Sequence, residues 1–339
     1  MVARPELDGR DRGLSWRDAW SASPGPRGPR QAAWLAAKGF CMGCADIIPG
    51  VSGGTIAFIT GIYGQLLAAI KSFDLSAARQ LLGGDPKGAL AETHVRFLVP
   101  LLGGIGCALL AMARLMHYLL AHHPVLVWSL FFGLIAASIW VVGRRVERWS
   151  AGPKACLLGG AVAGWLVVGL IPVQTPDASW FIFLSGAVAI CAMLLPGVSG
   201  AFILLVLGKY SMITACLKNP LDPGNLAVMI VFASGCVAGV LGFSRLLHWL
   251  MTRHYALTVA GLTGLMAGAM RKVWPWKEVL ETKVAGGKVI VLREALAWPS
   301  LDSALVPALA LMLAGAVAVL LLDRLGRASG DRPGRGAGD

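Results

Sequence analysis

Seven apolar runs leave this chain few ways to fold: Phe97 to Leu120, Val125 to Val142, Ala155 to Ile171, Trp180 to Leu195, Leu226 to Leu250, Leu257 to Met270 and Ala304 to Leu322. A helix needs roughly 20 residues to cross a bilayer; several runs reach that length and others fall slightly short. Charged residues make up 14% of the chain, against roughly a quarter in soluble domains, too few to cover a water-facing surface. The expected fold class is an all-α polytopic membrane protein.

The net charge of +12 lies at the edges of these runs and in the tails, where basic residues ordinarily set membrane orientation. No nucleic-acid partner is expected from it. The first 30 residues are polar, rich in Arg, Pro and Gly, and lack the short apolar core and small-residue cleavage site of a signal peptide. That segment and the tail after Arg324 read as disordered. Cys41 and Cys44 form a Cys-x-x-Cys pair with no second pair at zinc spacing, so they read as small packing residues.

The chain repeats itself. Pro49-Gly-Val-Ser-Gly53 recurs as Pro196-Gly-Val-Ser-Gly200, and Ile56, Gly61, Tyr63 and Lys71 match Ile203, Gly208, Tyr210 and Lys218 in register. Arg114-Leu-Met-His117 answers Arg245-Leu-Leu-His248, followed by His123 and His254 and by Gly133 and Gly264. Gly160-Ala-Val-Ala163 answers Gly315-Ala-Val-Ala318. This gives a tail over 1–31, a first repeat over 32–172, a second over 173–323 and a tail over 324–339. Each repeat is an interrupted segment (32–70 and 180–217) followed by three spans, near 97–120, 125–142 and 155–171, then 226–250, 256–271 and 304–322.

If the interrupted segment returns as a hairpin, each half crosses three times and the second half is inverted; if it crosses, the halves are parallel. The hairpin reading puts Lys71, Arg79, Lys87, Arg144, Arg145, Arg148, Lys154, Arg253 and both termini on the cytoplasmic side, as the positive-inside bias prefers. Its cost is the outside placement of the basic segment from Arg271 to Arg293. The expected architecture is two inverted repeats, each a re-entrant broken-helix hairpin plus three transmembrane helices.

Proline and glycine together cannot continue a helix. A break inside lipid exposes backbone groups that are tolerated only against protein or a wet cavity. Two breaks at matching positions point to a transporter's binding site. Ser52, Gly53, Gly54 and Thr55 open the helix after the first break, and Ser199 and Gly200 the second. Amides at a helix start beside hydroxyls suit a phosphate or carboxylate. A Pro-Gly turn with a Ser cap accounts for a single copy equally well.

Arg114 and Arg245 lie within spans, where a charge is costly and usually faces a partner or cavity; snorkelling to the interface is the alternative. His117 and His248 share a helix face with them. With Asp46, which has no counterpart in the second repeat, they are candidate proton handlers. Tyr63, Tyr210, Lys71, Lys209 and Lys218 also fit interfacial anchors, and Trp128, Trp140, Trp165 and Trp180 an interface belt. Gly103-Gly104 and Gly159-Gly160 allow close helix packing.

Ala45-Asp-Ile-Ile-Pro-Gly-Val-Ser-Gly-Gly-Thr55, continuing to Phe58 and Gly61-Ile-Tyr63, resembles the signature of a bacterial and archaeal membrane family known as domain of unknown function 368, whose members are understood as undecaprenyl phosphate translocases. The resemblance covers about Trp34 to Leu322. It implies return of a cell-wall and surface-glycan lipid carrier from the outer to the inner leaflet of the cytoplasmic membrane. It also implies undecaprenyl phosphate, or a related polyprenyl phosphate, as substrate in contact with Ser52, Thr55, Ser199 and nearby amides, and with Arg114 and Arg245 in turn. The second copy departs from the first, with Ala201-Phe202 in place of Gly54-Thr55.

A transporter or channel for a small soluble anion fits the repeats and breaks as well. A lipid phosphatase lacks the clustered acids or metal-spaced His and Glu it needs. No Gly-x-x-x-x-Gly-Lys-Ser/Thr loop supports ATP hydrolysis, and nothing in the sequence calls for a cofactor or metal. A purely structural membrane protein gives no reason for paired breaks. The oligomeric state is not legible.

Overall fold

The computed structural model describes residues 14–47, 52–171, 173, 175–219, 222–285, 288–299 and 305–328. Pro49, Gly50 and Val51 lie outside these, as do the side chains of Arg114 and His117.

The first half contains α1 (Trp16–Ala22), α2 (Pro29–Asp46), α3 (Gly53–Ile59), α4 (Tyr63–Lys71), α5 (Leu75–Leu82), α6 (Pro86–Glu92), α7 (Val95–His122), α8 (Pro124–Gly143) and α9 (Ala151–Val168). The second contains α10 (Ser179–Leu194), α11 (Gly200–Val206), α12 (Tyr210–Lys218), α13 (Pro223–Arg253), α14 (Tyr255–Ala269), a 3-10 turn (Met270–Val273), β1 (Lys277–Ala285), β2 (Lys288–Leu296) and α15 (Leu305–Ala328). Among the described residues α7, α8, α9 and α13 are long and apolar enough to cross a membrane, with α10 and part of α15 apolar but shorter. Leu226, Ile230, Val237 and Leu246 of α13 are 46–60% exposed. An exterior of this kind is covered by lipid, and the chain is a multi-pass membrane protein.

The repeated residues occupy repeated conformations. Gly61 and Gly208 follow the short helices α3 and α11 at φ +77° and +69°, a left-handed geometry that glycine adopts without strain. Ile62 N–H donates to Ala57 O at 3.0 Å, and Lys209 N–H to Leu204 O at 2.9 Å. His123 joins α7 to α8 at φ −134°, ψ 49°, and His254 joins α13 to α14 at φ −131°, ψ 48°. After α3 the chain bends by 116° into α4.

Both interrupted segments turn back. Lys38, in the middle of α2, donates to Thr60 O at the end of α3 at 3.1 Å, so α3 runs back alongside α2. In the second half Val173 N–H, ahead of α10, donates to Val206 O at the end of α11 at 2.9 Å.

Close glycine contacts fix which helices run side by side. A methyl on Gly160 of α9 would stand 2.1 Å from Gly261 O, and one on Gly164 2.4 Å from Leu265 O, so α9 and α14 run parallel. Gly39 and Gly43 of α2 meet Leu101 O and Ile105 O in the same ascending order, and Gly235 and Gly239 of α13 meet Phe183 O and Ala187 O. The pairs α2–α7 and α10–α13 are therefore parallel too, while α15 packs on α8 through Gly133 and Gly315. In each glycine doublet one member serves: Gly104 and Gly160 face a neighbouring backbone, whereas Gly103 and Gly159 face open space.

Two elements depart from expectation. Residues 16–22, expected within a disordered tail, form α1: Ser15 caps it, Ala19 is buried, and Arg96 donates to the carbonyls of Trp20, Ser21 and Gly25. The connection after α14, expected as a charged loop in an all-helical protein, carries an antiparallel ribbon pairing Lys277 with Leu296 and Ala285 with Lys288. Its Val, Ile and Thr content favours extended backbone.

Candidate functional site

The two breaks meet, and hydroxyls of the first hold the backbone of the second. Ser52 caps α3 by accepting from Gly54 N–H at 3.1 Å and donates to Met193 O at 3.1 Å. Thr55 Oγ1 accepts from Gly197 N–H at 2.9 Å, and the Tyr63 hydroxyl donates to Leu194 O at 2.8 Å. Ser52, Thr55 and Tyr63 are no more than 2% exposed. Proline freed these backbone groups from helical bonding, and buried groups of this kind need partners; the opposite repeat supplies them.

The fit depends on missing side chains. A methyl on Gly54 would stand 3.0 Å from Met193 O, and one on Gly53 2.5 Å from an Asp46 carboxylate oxygen. Gly53 N–H donates to Asp46 Oδ1 at 2.6 Å, so Asp46 ties the end of α2 to the start of α3. A methyl on Gly200 would stand 2.7 Å from Ala189 O. Ser199 caps α11 by position, but its hydroxyl has no protein partner among the described residues.

The structure thus brings together Asp46, Ser52, Gly53, Gly54 and Thr55 from one half and places Ser199 and Gly200 directly after the backbone they hold. It does not bring Arg245 to this point. Arg245 donates to Leu241 O on its own helix at 2.8 Å, and its charge reaches Asp74 at the α4–α5 turn. That carboxyl is held below its usual range first by the Ser76 hydroxyl and the Ala77 N–H, with Arg245 adding to them. His248 sits one turn further along α13, half-buried. Arg114 and His117 occupy the corresponding turn of α7, two turns before its His122 end.

Lys209, which also fits an interfacial anchor by sequence, is buried within the protein. Its side chain is 2% exposed, forms an ion pair with Asp177, donates to Thr175 O at 2.9 Å and lies 5.5 Å from the Phe181 ring. Burying an ammonium requires such partners.

A cavity of about 370 Å³ lies beside α11, between the end of α9, the 3-10 turn and the ribbon. Arg271, Lys272 and Lys277 line it, with Glu294 as the one acid among the described residues. Sequence reasoning missed it, although those cations had registered as an anomaly of outside placement. Two of the expected belt tryptophans belong to this region: Arg271 stacks 4.7 Å over Trp165 and Lys277 4.2 Å over Trp128.

The model of an undecaprenyl phosphate translocase-like family matches residues 42–290. A polyprenyl-phosphate transporter of Vibrio cholerae is 40% identical over 285 residues, covering 82% of this chain and 91% of that protein. A polyprenyl-phosphate transporter of Staphylococcus aureus is 29% identical over 263 residues, covering 73% and 88%. No solved structure matches the chain.

Proposed function

Because the chain belongs to the undecaprenyl phosphate translocase-like family, we propose that it carries polyprenyl phosphate between the leaflets of the cytoplasmic membrane, in the recycling direction from outer to inner. The observation that carries the reading is the contact between the two breaks. Ser52, Tyr63 and Gly197 are hydrogen-bond donors held against protein acceptors. Parting the breaks frees all three for phosphate oxygens, within a dry setting where each bond is strong. The interlocked arrangement is the closed state, and a phosphate replaces the opposite repeat when it opens. Ser52, Gly53, Gly54, Thr55, Ser199 and Gly200 are the head-group residues, with Arg114 and Arg245 as cations toward the two ends of the path. Asp46, His117 and His248 are the groups proposed to couple opening to a proton or ion gradient.

Two inverted repeats suit such a path. The reading is supported by the parallel pairs: α9 and α14 run together, yet α14 answers α8, which runs opposite to α9 across the connection 144–150. On this reading α2 and α10 enter from opposite sides and both termini share one side. Arg144, Arg145, Arg148 and Lys154 fall on that same side, which makes it cytoplasmic. Transport is preferred over catalysis because both curated relatives carry transporter names.

Purified protein is expected to be stabilised by undecaprenyl phosphate and not by undecaprenol, with millimolar inorganic phosphate failing to displace the lipid. At a hundredfold excess over Kd the gain is about 2.7 kcal/mol, read as a rise in Tm. Displacement by inorganic phosphate, with no selectivity for the lipid, would instead make the protein a small-anion carrier.

A further inference from the structure

We propose that the basic cavity beside α11, together with the apolar cleft between α9 and α14, is an entry site for polyprenyl phosphate on the side opposite the N-terminus: the head group lies among Arg271, Lys272 and Lys277, and the first isoprene units lie along the cleft. This rests on the transport reading and adds a place and a side to it.

Charge comes first. Among the described residues the cavity holds three cations and one acid. Glu294 contacts Lys272 at 3.1 Å and Lys277 at 3.5 Å, so it balances one unit of charge and a surplus of two remains, matching a phosphomonoester dianion. Arg271 has no carboxylate partner among the described residues; its guanidinium carbon lies 4.7 Å from the Trp165 ring centroid, and its N–H groups offer a fork for phosphate oxygens. Three cations held together, with Lys277 buried, repel one another unless an anion joins them.

The tail is accommodated next. Trp165 also borders a shallow, open groove lined by Ala161, Val162, Leu166, Ala267 and Gly268. It is almost wholly apolar and runs along the α9–α14 seam, whose backbones touch at Gly164 and Gly268. A cationic chamber whose Arg271 rests over a tryptophan of an apolar groove fits an anionic head on a hydrocarbon tail. Free phosphate would use only the first part, and an uncharged prenol only the second. Phe202 and Leu205 of α11 form one wall of the chamber, so a head group there already touches the second re-entrant helix.

Burial pushes the Lys277 ammonium down to about 8, with Lys272 pushing the same way and Glu294 opposing. A phosphomonoester completes its second ionisation well below this, near pH 6. Raising pH from 7.5 to 9.5 therefore removes a cation from the chamber without changing the ligand, and head-group affinity is expected to fall as pH passes about 8. Arg271 stays charged throughout.

The test uses the full chain in nanodiscs, with farnesyl phosphate, farnesol and inorganic phosphate as probes read by tryptophan fluorescence, and leaflet exchange of labelled undecaprenyl phosphate in proteoliposomes. Arg271→Gln with Lys272→Gln is expected to weaken farnesyl phosphate at least tenfold and to slow exchange. Lys277→Gln is expected to weaken it less and to flatten the fall above pH 8. Arg271→Lys, which keeps charge but loses the fork, is expected to fall between wild type and the double variant. Folding of each variant is checked by its Tm. Exchange by wild type, with the double variant binding farnesyl phosphate equally well, overturns the entry site and leaves transport standing. Binding of inorganic phosphate as tight as farnesyl phosphate overturns the cleft's part in it. A wild type that exchanges no lipid and binds no farnesyl phosphate overturns both readings.

Discussion

Gly264→Val is expected to destroy the α9–α14 pair, and with it the recovery of folded protein from the membrane. A methyl at Gly264 would stand 2.0 Å from Leu157 O and 2.9 Å from Ala161 N. These are backbone atoms inside a helix and cannot swing aside, so the helices must separate along the seam. Overpacking a close interface typically costs about 1–3 kcal/mol and more where the backbone blocks relief; more than about 3 kcal/mol is expected here. Gly159→Val is the matched control, since Gly159 on α9 faces open space, and it should melt as wild type does. Thermal melting of the two variants in detergent checks the pair. Equal loss in both would mean that glycine content, rather than the seam, sets stability.

The second large effect concerns the contact between the breaks. Thr55→Val keeps shape and removes the acceptor of the Gly197 N–H, a group buried with no helical partner. An orphaned buried donor costs about 1–3 kcal/mol, which is a factor of about 5 to 150 in the ratio of closed to open forms. Amide exchange over residues 195–200 should speed up by that order, and Tm should fall. Ser199→Ala is expected to leave both unchanged, because that hydroxyl holds nothing among the described residues. Unaltered amide protection in Thr55→Val would remove the hydroxyl from the interlock.

The contrast between Thr55 and Ser199 shows what could be read in the chain and what could not. The repeat, the broken segments and the helices following them were legible because proline and glycine punctuate structure locally and apolar runs have a length set by the bilayer. Ala201-Phe202 in place of Gly54-Thr55 sets the second copy apart in the sequence. That Thr55 reaches across to Gly197, 142 residues away, was not legible, since no local rule chooses a partner from the other repeat.

The basic cavity was hidden for a similar reason: its walls come from α9, α11, the 3-10 turn and the ribbon. The ribbon itself left a trace. Val- and Ile-bearing runs flank Gly286-Gly287, a hairpin signature that the surrounding charges obscured. Arg271 and Lys272 registered only as basic residues on the wrong side of the membrane. The burial of Lys209 was not legible because it depends on Asp177 and Thr175, 32 and 34 residues away.

The central claim is that lipid passes only when the two breaks part. Ser52→Cys, whose parent hydroxyl meets the Met193 carbonyl, is combined in turn with cysteine at Leu194, Leu195 and Val198 in a background lacking the native cysteines, and the pair that oxidises completely is kept. Leaflet exchange of labelled undecaprenyl phosphate is then measured in the same proteoliposomes, reduced and oxidised. Exchange that stops on oxidation and returns with reductant is the expected result. Exchange at the reduced rate, with cross-linking shown to be complete, would contradict the account.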